Sequence, residues 1–293
     1  MTVWTDLWRK SRRALTAVIS APALALPGRD HVIIERLPPF ESRILGETRT
    51  IDVFLPRDYR TATAASYPVL YANDGQDMQA VDLAVTLDSL QRLGAIRPVL
   101  VVAIHATSRI QDYGTAGVAN AQGLGARAEL YQRFLLEELM PAIEHRYRVA
   151  SGPAQTAIMG WSLGALSAFD LAWRHSDRVG AVGAFSGAFW WRTNDTDASA
   201  RQSSRIMHQR VRITRGRPPL RFWFETGLQD ETEDRDGDGV IDAIQDTEEL
   251  VLALTAHGYK RGPDLVHLTV TGRHDLATWK RMLPEFLLWA FPR

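Results

Sequence analysis

Gly160, Trp161, Ser162, Leu163 and Gly164 form a G-x-S-x-G pentapeptide. It lies where an apolar, strand-like stretch at 156–159 gives way to a small-residue helical pattern that begins at Leu163. A serine between a strand and a helix must adopt a tight, strained turn, and side chains two before and two after it would collide with neighbouring backbone unless they are hydrogens. The turn lifts the Ser162 hydroxyl out at the carboxyl edge of a sheet, above the positive end of the following helix. Negative charge developing on a substrate oxygen is stabilised there. With 21 glycines in 293 residues the pattern alone has moderate specificity, and its setting is what marks a nucleophile. A serine that merely caps the helix is the structural alternative.

Such a hydroxyl needs a base within hydrogen-bond reach, and the base needs a carboxylate to fix its tautomer. Among eight histidines, His274 alone occupies a short turn (Gly272, Arg273, His274) between the last strand pattern and the last helical pattern. His105, His257 and His267 lie at the end of a buried strand, near a helix end and inside an apolar strand. Asp230 follows the strand at 221–225 and the turn residues Thr226 and Gly227, so it is the candidate acid, with Glu225, Glu231 and Asp246 competing. Two backbone N–H groups should form the oxyanion hole: that of Leu163, and that of Gln76 in the loop Asn73, Asp74, Gly75, Gln76. An ordinary Asp-Gly turn is the alternative for that loop.

Two further groups attract attention. Phe189, Trp190 and Trp191 follow the strand at 179–185 and can line the mouth of the site. Trp161, Trp190 and Trp191 are therefore candidate substrate contacts, with core packing the competing role. Residues 234–242 (DRDGDGVID) reproduce the start of an EF-hand-like loop, with carboxylates at positions one, three, five and nine and Gly239 at six. Gln245 stands where a closing glutamate is usual, and Asp246 follows it. Asp234, Asp236, Asp238, Val240, Asp242 and Asp246 are the candidate ligands of a structural calcium ion, and an acidic surface loop is the alternative. Catalysis itself calls for no cofactor.

The elements that must position these residues alternate. Strand patterns fall at 31–36, 50–55, 68–72, 98–105, 156–159, 179–185, 221–225 and 265–271, and helical patterns at 81–93, 126–148, 163–174, 247–257 and 276–291. After a β-rich opening, this order predicts a single α/β domain over 31–293, with a mostly parallel central sheet, helices on both faces and an acidic calcium-type loop at 231–246. Residues 99–104 are continuously apolar, as a strand buried on both faces should be. Chemistry in such sheets sits beyond the carboxyl ends of strands, where Ser162, Asp230 and His274 all fall. Residues 193–215, serine-rich and then basic, are a candidate lid.

Thirty-four acidic residues balance thirty-four basic ones, so nothing electrostatic recommends nucleic acid or an acidic membrane as a partner. The absence of cysteine excludes disulfides, thiolate metal sites and cysteine catalysis. Residues 1–30 read as an N-terminal helical or leader segment: Arg9, Lys10, Arg12 and Arg13 precede an apolar stretch at 14–26 with a small-residue site around Ala23 and Ala25. The cytoplasm is the favoured compartment, with export or the periplasm the alternative. No apolar run reaches the length of a membrane span, about 20 residues.

Over residues 45–293 the chain resembles the α/β-hydrolase esterases related to enterochelin esterase, esterase D and the mycobacterial mycolyltransferases. The resemblance rests on LYANDGQ at 70–76, FLLEELMPAIEHRY at 134–147, IMGWSLGA at 158–165, FSGAFWW at 185–191, and residues 272–291 with Arg273, His274, Asp275 and Trp279. It implies an α/β-hydrolase fold, a triad of Ser162, Asp230 and His274, an oxyanion hole from Gln76 and Leu163, and a small-molecule ester as substrate. Members whose acid comes from the following helix would shift that role to Glu248 or Glu249. Acyl transfer on the same triad, and a non-catalytic calcium-dependent binding module on this scaffold, are the alternatives.

Overall fold

The computed structural model describes residues 31–293, so the leader reading of residues 1–30 lies outside the described part. These described residues form ten strands: β1 (Ile33–Arg36), β2 (Phe40–Ser42), β3 (Glu47–Arg49), β4 (Ile51–Leu55), β5 (Val69–Ala72), β6 (Leu100–Ile104), β7 (Thr156–Trp161), β8 (Ala181–Phe185), β9 (Arg221–Gln229) and β10 (Leu265–Arg273). Eight of them make one sheet in the order β1-β4-β6-β5-β7-β8-β9-β10. β1 and β4 run antiparallel to their neighbours, and every pairing from β6 to β10 is parallel. All eight predicted strands lie in this sheet. The hairpin of β2 and β3 leaves no signal in the sequence, its strands of three residues being too short to show a period.

Among the described residues nine helices surround the sheet: α1 (Leu83–Arg92), α2 (Arg109–Asp112), α3 (Ala128–Arg133), α4 (Met140–Arg146), α5 (Leu163–Arg174), α6 (Ala198–Ser203), α7 (Ile206–Ile213), α8 (Asp242–Ala256) and α9 (Leu276–Ala290). A π-helical stretch, Phe134–Leu139, joins α3 to α4, so the pattern predicted over 126–148 is one helix with a widened turn ahead of Pro141. A proline lacks the N–H that a regular helix would use at that point, and a π turn accommodates the gap.

Strand alternation explains why residues 99–104 are uniformly apolar. Leu100, Val102 and Ile104 enter a core with α3, α4, α5 and α8, while Val99, Val101 and Ala103 enter a second core with α1 and α9 on the opposite face. Burying both faces needs apolar residues at odd and even positions alike.

Two local expectations change. Residues 242–246 form the first turn of α8, so the acidic loop ends sooner than 246. The candidate lid contains α6 and α7, and ion pairs hold it down: Arg210 bonds Asp170 on α5, and Arg205 bonds Asp246 and Glu249 on α8. Polar helices this short leave a weak apolar period, and their partners are far away in sequence. Among the described residues no helix is long and apolar enough to cross a membrane.

Candidate active site

β7 ends at Trp161, and Ser162 follows with φ 56° and ψ −122°. That is a strained conformation for a residue with a side chain. Its N–H donates to the Phe185 carbonyl at 2.9 Å, and its own carbonyl accepts from Leu166 and Ala188. The two glycines are required as the sequence argument supposed. A Cβ on Gly160 would fall on the backbone of Gly164, and one on Gly164 would come within 2.7 Å of Asp74 Oδ2. Leu163 opens α5, so its N–H has no carbonyl behind it within the helix.

The loop after β5 is fastened against this turn. Asn73 donates from its N–H to the Met159 carbonyl at 3.0 Å and from Nδ2 to the Gly164 carbonyl at 2.8 Å. Asp74, fully buried, takes a left-handed conformation at φ 56°. Its carboxylate receives Arg109 Nε at 2.8 Å and Arg109 Nη2 at 3.0 Å. The same Nη2 donates to the Trp161 carbonyl at 3.2 Å. Burial raises the Asp74 pKa, and Arg109 opposes that rise. Gln76 follows within a single turn of 3₁₀ helix, Gly75–Asp77, where the leading amides also lack helical partners. Arg109 thus touches both segments that carry the proposed oxyanion donors. Sequence reasoning missed it, since nothing local ties Arg109 to an aspartate at a separation of 35 residues.

His274 lies between β10 and Asp275, the N-cap of α9, whose side chain accepts the Thr278 N–H. Its Nδ1 stands 3.8 Å from Asp230 Oδ2. This is an ion-pair distance, longer than a hydrogen bond, as is common before substrate binds. The His274 ring meets Trp279 edge-on at 5.2 Å, and Trp279 stacks on Trp161 at 5.4 Å with the planes 9° apart. Trp161 Nε1 donates to Asp77 Oδ2 at 3.1 Å. Two buried indoles therefore connect the turn of His274 to the residue preceding Ser162 and to the residue following Gln76.

The other carboxylates separate by environment. Glu249 pairs with Arg205, and Asp246 with Arg205 and Arg235. Glu231 is partly buried with its pKa raised by desolvation, and Glu248 is exposed. Glu225 is fully buried on β9, where burial, followed by the charge of Asp230, pushes its pKa up to about 8.

The aromatic candidates need correction. Trp161 and Trp191 are 2% and 1% exposed, while Trp190 is 37% exposed, so of the three only Trp190 offers solvent a substantial indole surface. Trp161 is scaffold because Trp279 covers one face of its ring. In the acidic loop, Asp234, Asp236 and Asp238 bring one carboxylate oxygen each within 4.8 Å of one another. The Asp234 carboxylate also accepts the N–H groups of Gly237, Asp238 and Gly239, and the Val240 N–H donates to Asp238 Oδ1. Asp242 and Asp246 are not part of that group: Asp242 pairs with Arg235 at 3.2 Å, and Asp246 is buried between Arg205 and Arg235. The first turn of α8 directs both toward arginines.

The solved structures most like this one include a ferulic acid esterase, with 20% identity and a TM-score of 0.68 over 90% of this chain and 99% of that one. Another is the enterobactin esterase from Shigella flexneri in the presence of enterobactin, with 19% identity and a TM-score of 0.70 over 92% and 61% of the two chains. These likenesses show the α/β-hydrolase fold. In sequence, an esterase of Mycobacterium tuberculosis is 27% identical over 153 residues, 50% of this chain and 31% of that protein. The matched stretches span from 21% to 58% of the lengths of the curated relatives. The model of the Esterase family ("Putative esterase") matches residues 42–290, which takes in β4 to β10, the strained serine, the Asp74 loop and the His274 turn, and the chain belongs to that family.

Proposed function

We propose that this chain hydrolyses carboxylic esters through an acyl-enzyme on Ser162. His274 accepts the Ser162 proton, the hydroxyl oxygen attacks the acyl carbon, and the N–H groups of Gln76 and Leu163 receive the tetrahedral oxyanion. His274 returns the proton to the departing alcohol, and water, activated by the same imidazole, releases the acid. Asp230 orients the ring and balances the imidazolium. The observation that carries this reading is the Asp230–His274 pair at the sheet edge where Ser162 is held in its strained turn. Family membership and the names of the relatives, among them an esterase of Mycobacterium tuberculosis, a ferulic acid esterase and an enterobactin esterase, agree with it. Trp190, exposed two residues beyond the N–H that binds the Ser162 carbonyl, would give a flat acyl or alcohol group a surface to lie on.

The acidic loop fits a weak structural calcium site built on Asp234, Asp236 and Asp238, with the Val240 carbonyl and water completing the oxygen shell that calcium requires. With Asp242 and Asp246 engaged by arginines, affinity should fall toward that of extracellular modules, about 10⁻⁴ to 10⁻³ M.

The test is Ser162→Ala on a simple aryl ester, with fluorophosphonate labelling of the parent protein. Turnover should drop by about a millionfold and the label should map to Ser162. Unchanged hydrolysis by the alanine variant excludes the assignment.

A further inference from the structure

We infer that Glu225 is a positioning residue that carries a proton at neutral pH and holds the carboxylate of Asp230 in place through its O–H. The inference rests on the triad reading above. Four carboxyl oxygens are involved, two on Glu225 and two on Asp230, and none finds a hydrogen-bond partner among the described residues. Both side chains are shut away from water, Glu225 at 0% exposure and Asp230 at 1%.

The chain folds back to bring them together. The Asp230 N–H donates to the Gly227 carbonyl at 3.2 Å, and a Cβ on Gly227 would come 2.5 Å from Asp230 Oδ1. The carboxylate thus lies over the backbone just past Glu225, and glycine at 227 makes room for it.

Two ionised carboxylates offer only acceptors. Buried close enough for the charge of Asp230 to act on Glu225, and with no hydrogen bond to any of the four oxygens, they do not both keep their charge, and one proton is shared or held. Asp230 faces His274, the group that becomes cationic during turnover, so the negative charge belongs there and the proton on Glu225. The surroundings of Glu225 agree. Burial and the charge of Asp230 raise its pKa to about 8, and Arg281 on α9, which also bonds the Thr271 carbonyl, pulls it the other way. Neither Thr226, which donates to Thr247 on α8, nor Ser186 on the turn after β8, which accepts from Trp279, bonds a carboxyl oxygen of Glu225. A neutral Glu225 can donate to Asp230, whereas an ionised Glu225 repels it.

The pH profile reads this directly. Turnover by the parent protein should fall on the alkaline side as pH passes about 8. Glu225→Gln keeps the shape and a neutral donor that does not titrate, so it should keep most of the neutral-pH turnover and lose that alkaline fall. Glu225→Ala should lose turnover about tenfold or more at every pH, with KM little changed. Identical alkaline limbs in the parent and Glu225→Gln overturn the inference. So does an infrared spectrum of the parent at neutral pH with no protonated buried carboxyl, a measurement that needs no variant to fold. Asp230→Asn separates this from the triad itself. If that variant is as active as the parent, the triad acid is wrong. If it is inactive while the two limbs coincide, only the role of Glu225 fails.

Discussion

Replacing Arg109 by Met should damage both turnover and folding, and the size of each effect follows from its contacts. The guanidinium makes two hydrogen bonds to Asp74, at 2.8 and 3.0 Å, and one to the Trp161 carbonyl at 3.2 Å. Methionine keeps the apolar stem and removes all three. Asp74, with no exposed surface, would then keep only Gln76 Nε2 at 3.2 Å on its carboxylate. Removing one partner of a buried pair costs about 3–5 kcal/mol when the remaining charge has no relief. Asp74 has partial relief, because burial already raises its pKa and it can take up a proton once Arg109 is gone. The lower end, about 3 kcal/mol, is therefore expected. The left-handed turn at Asp74 loses its clamp at the same time, and Gln76, two residues on, moves with it. Losing one oxyanion donor lowers kcat by about a hundredfold to a thousandfold. Steady-state kinetics on an aryl ester and urea unfolding should show both losses, with KM changed only a few-fold. Arg109→Lys should fall between, since an ammonium cannot make the paired contact. Adding Asp74→Asn to Arg109→Met should recover stability, by removing the orphaned charge, without recovering turnover. A kcat for Arg109→Met within about threefold of the parent, against the hundredfold expected, refutes the clamp.

Gly164→Ala should interfere with the same junction from the other side. Its Cβ would approach Asp74 Oδ2 to 2.7 Å and Asn73 Cβ to 3.3 Å, so stability should drop by about 1–3 kcal/mol and turnover with it. A fully active, equally stable variant would show that the oxyanion loop yields freely. Calcium at about ten times its Kd should raise stability by about 1.4 kcal/mol, and chelation should reverse this and lower turnover, because the loop begins four residues after Asp230. Scanning calorimetry with and without chelator, and with Asp236→Asn, checks it. Melting temperature and turnover both indifferent to calcium remove the site.

Legibility from sequence followed the range of the interaction. The strand-turn-helix around Ser162 could be read because its demands are met within a few residues: glycines at 160 and 164, an apolar strand before, small residues after. Asp230 and His274 could be placed near strand ends for the same reason, but Thr226, Gly227, Gly272 and Arg273, which read as turn residues, belong to β9 and β10, whose pairing with each other carries the strands further than their own residues suggest. Trp161 was not readable. Its role is fixed by Asp77, 84 positions away, and by Trp279 in the last helix, and nothing in its own neighbourhood separates a stacked scaffold indole from a substrate platform. Arg109 is the same case in a charged residue. Glu225 and Asp230 make the point most sharply, because the sequence offered them as rivals for one role. Glu225 lies within the paired part of β9, opposite Phe185 and Leu268, where a side chain enters a packed layer. Asp230 lies beyond Gly227, where the chain can bend and return its carboxylate toward a residue at the next strand end. One strand end thus supplies a buried acid and a carboxylate facing the imidazole. With the proton on Glu225 and the charge on Asp230, the two rivals in the sequence are two parts of one device, distinguished by which of them the sheet encloses.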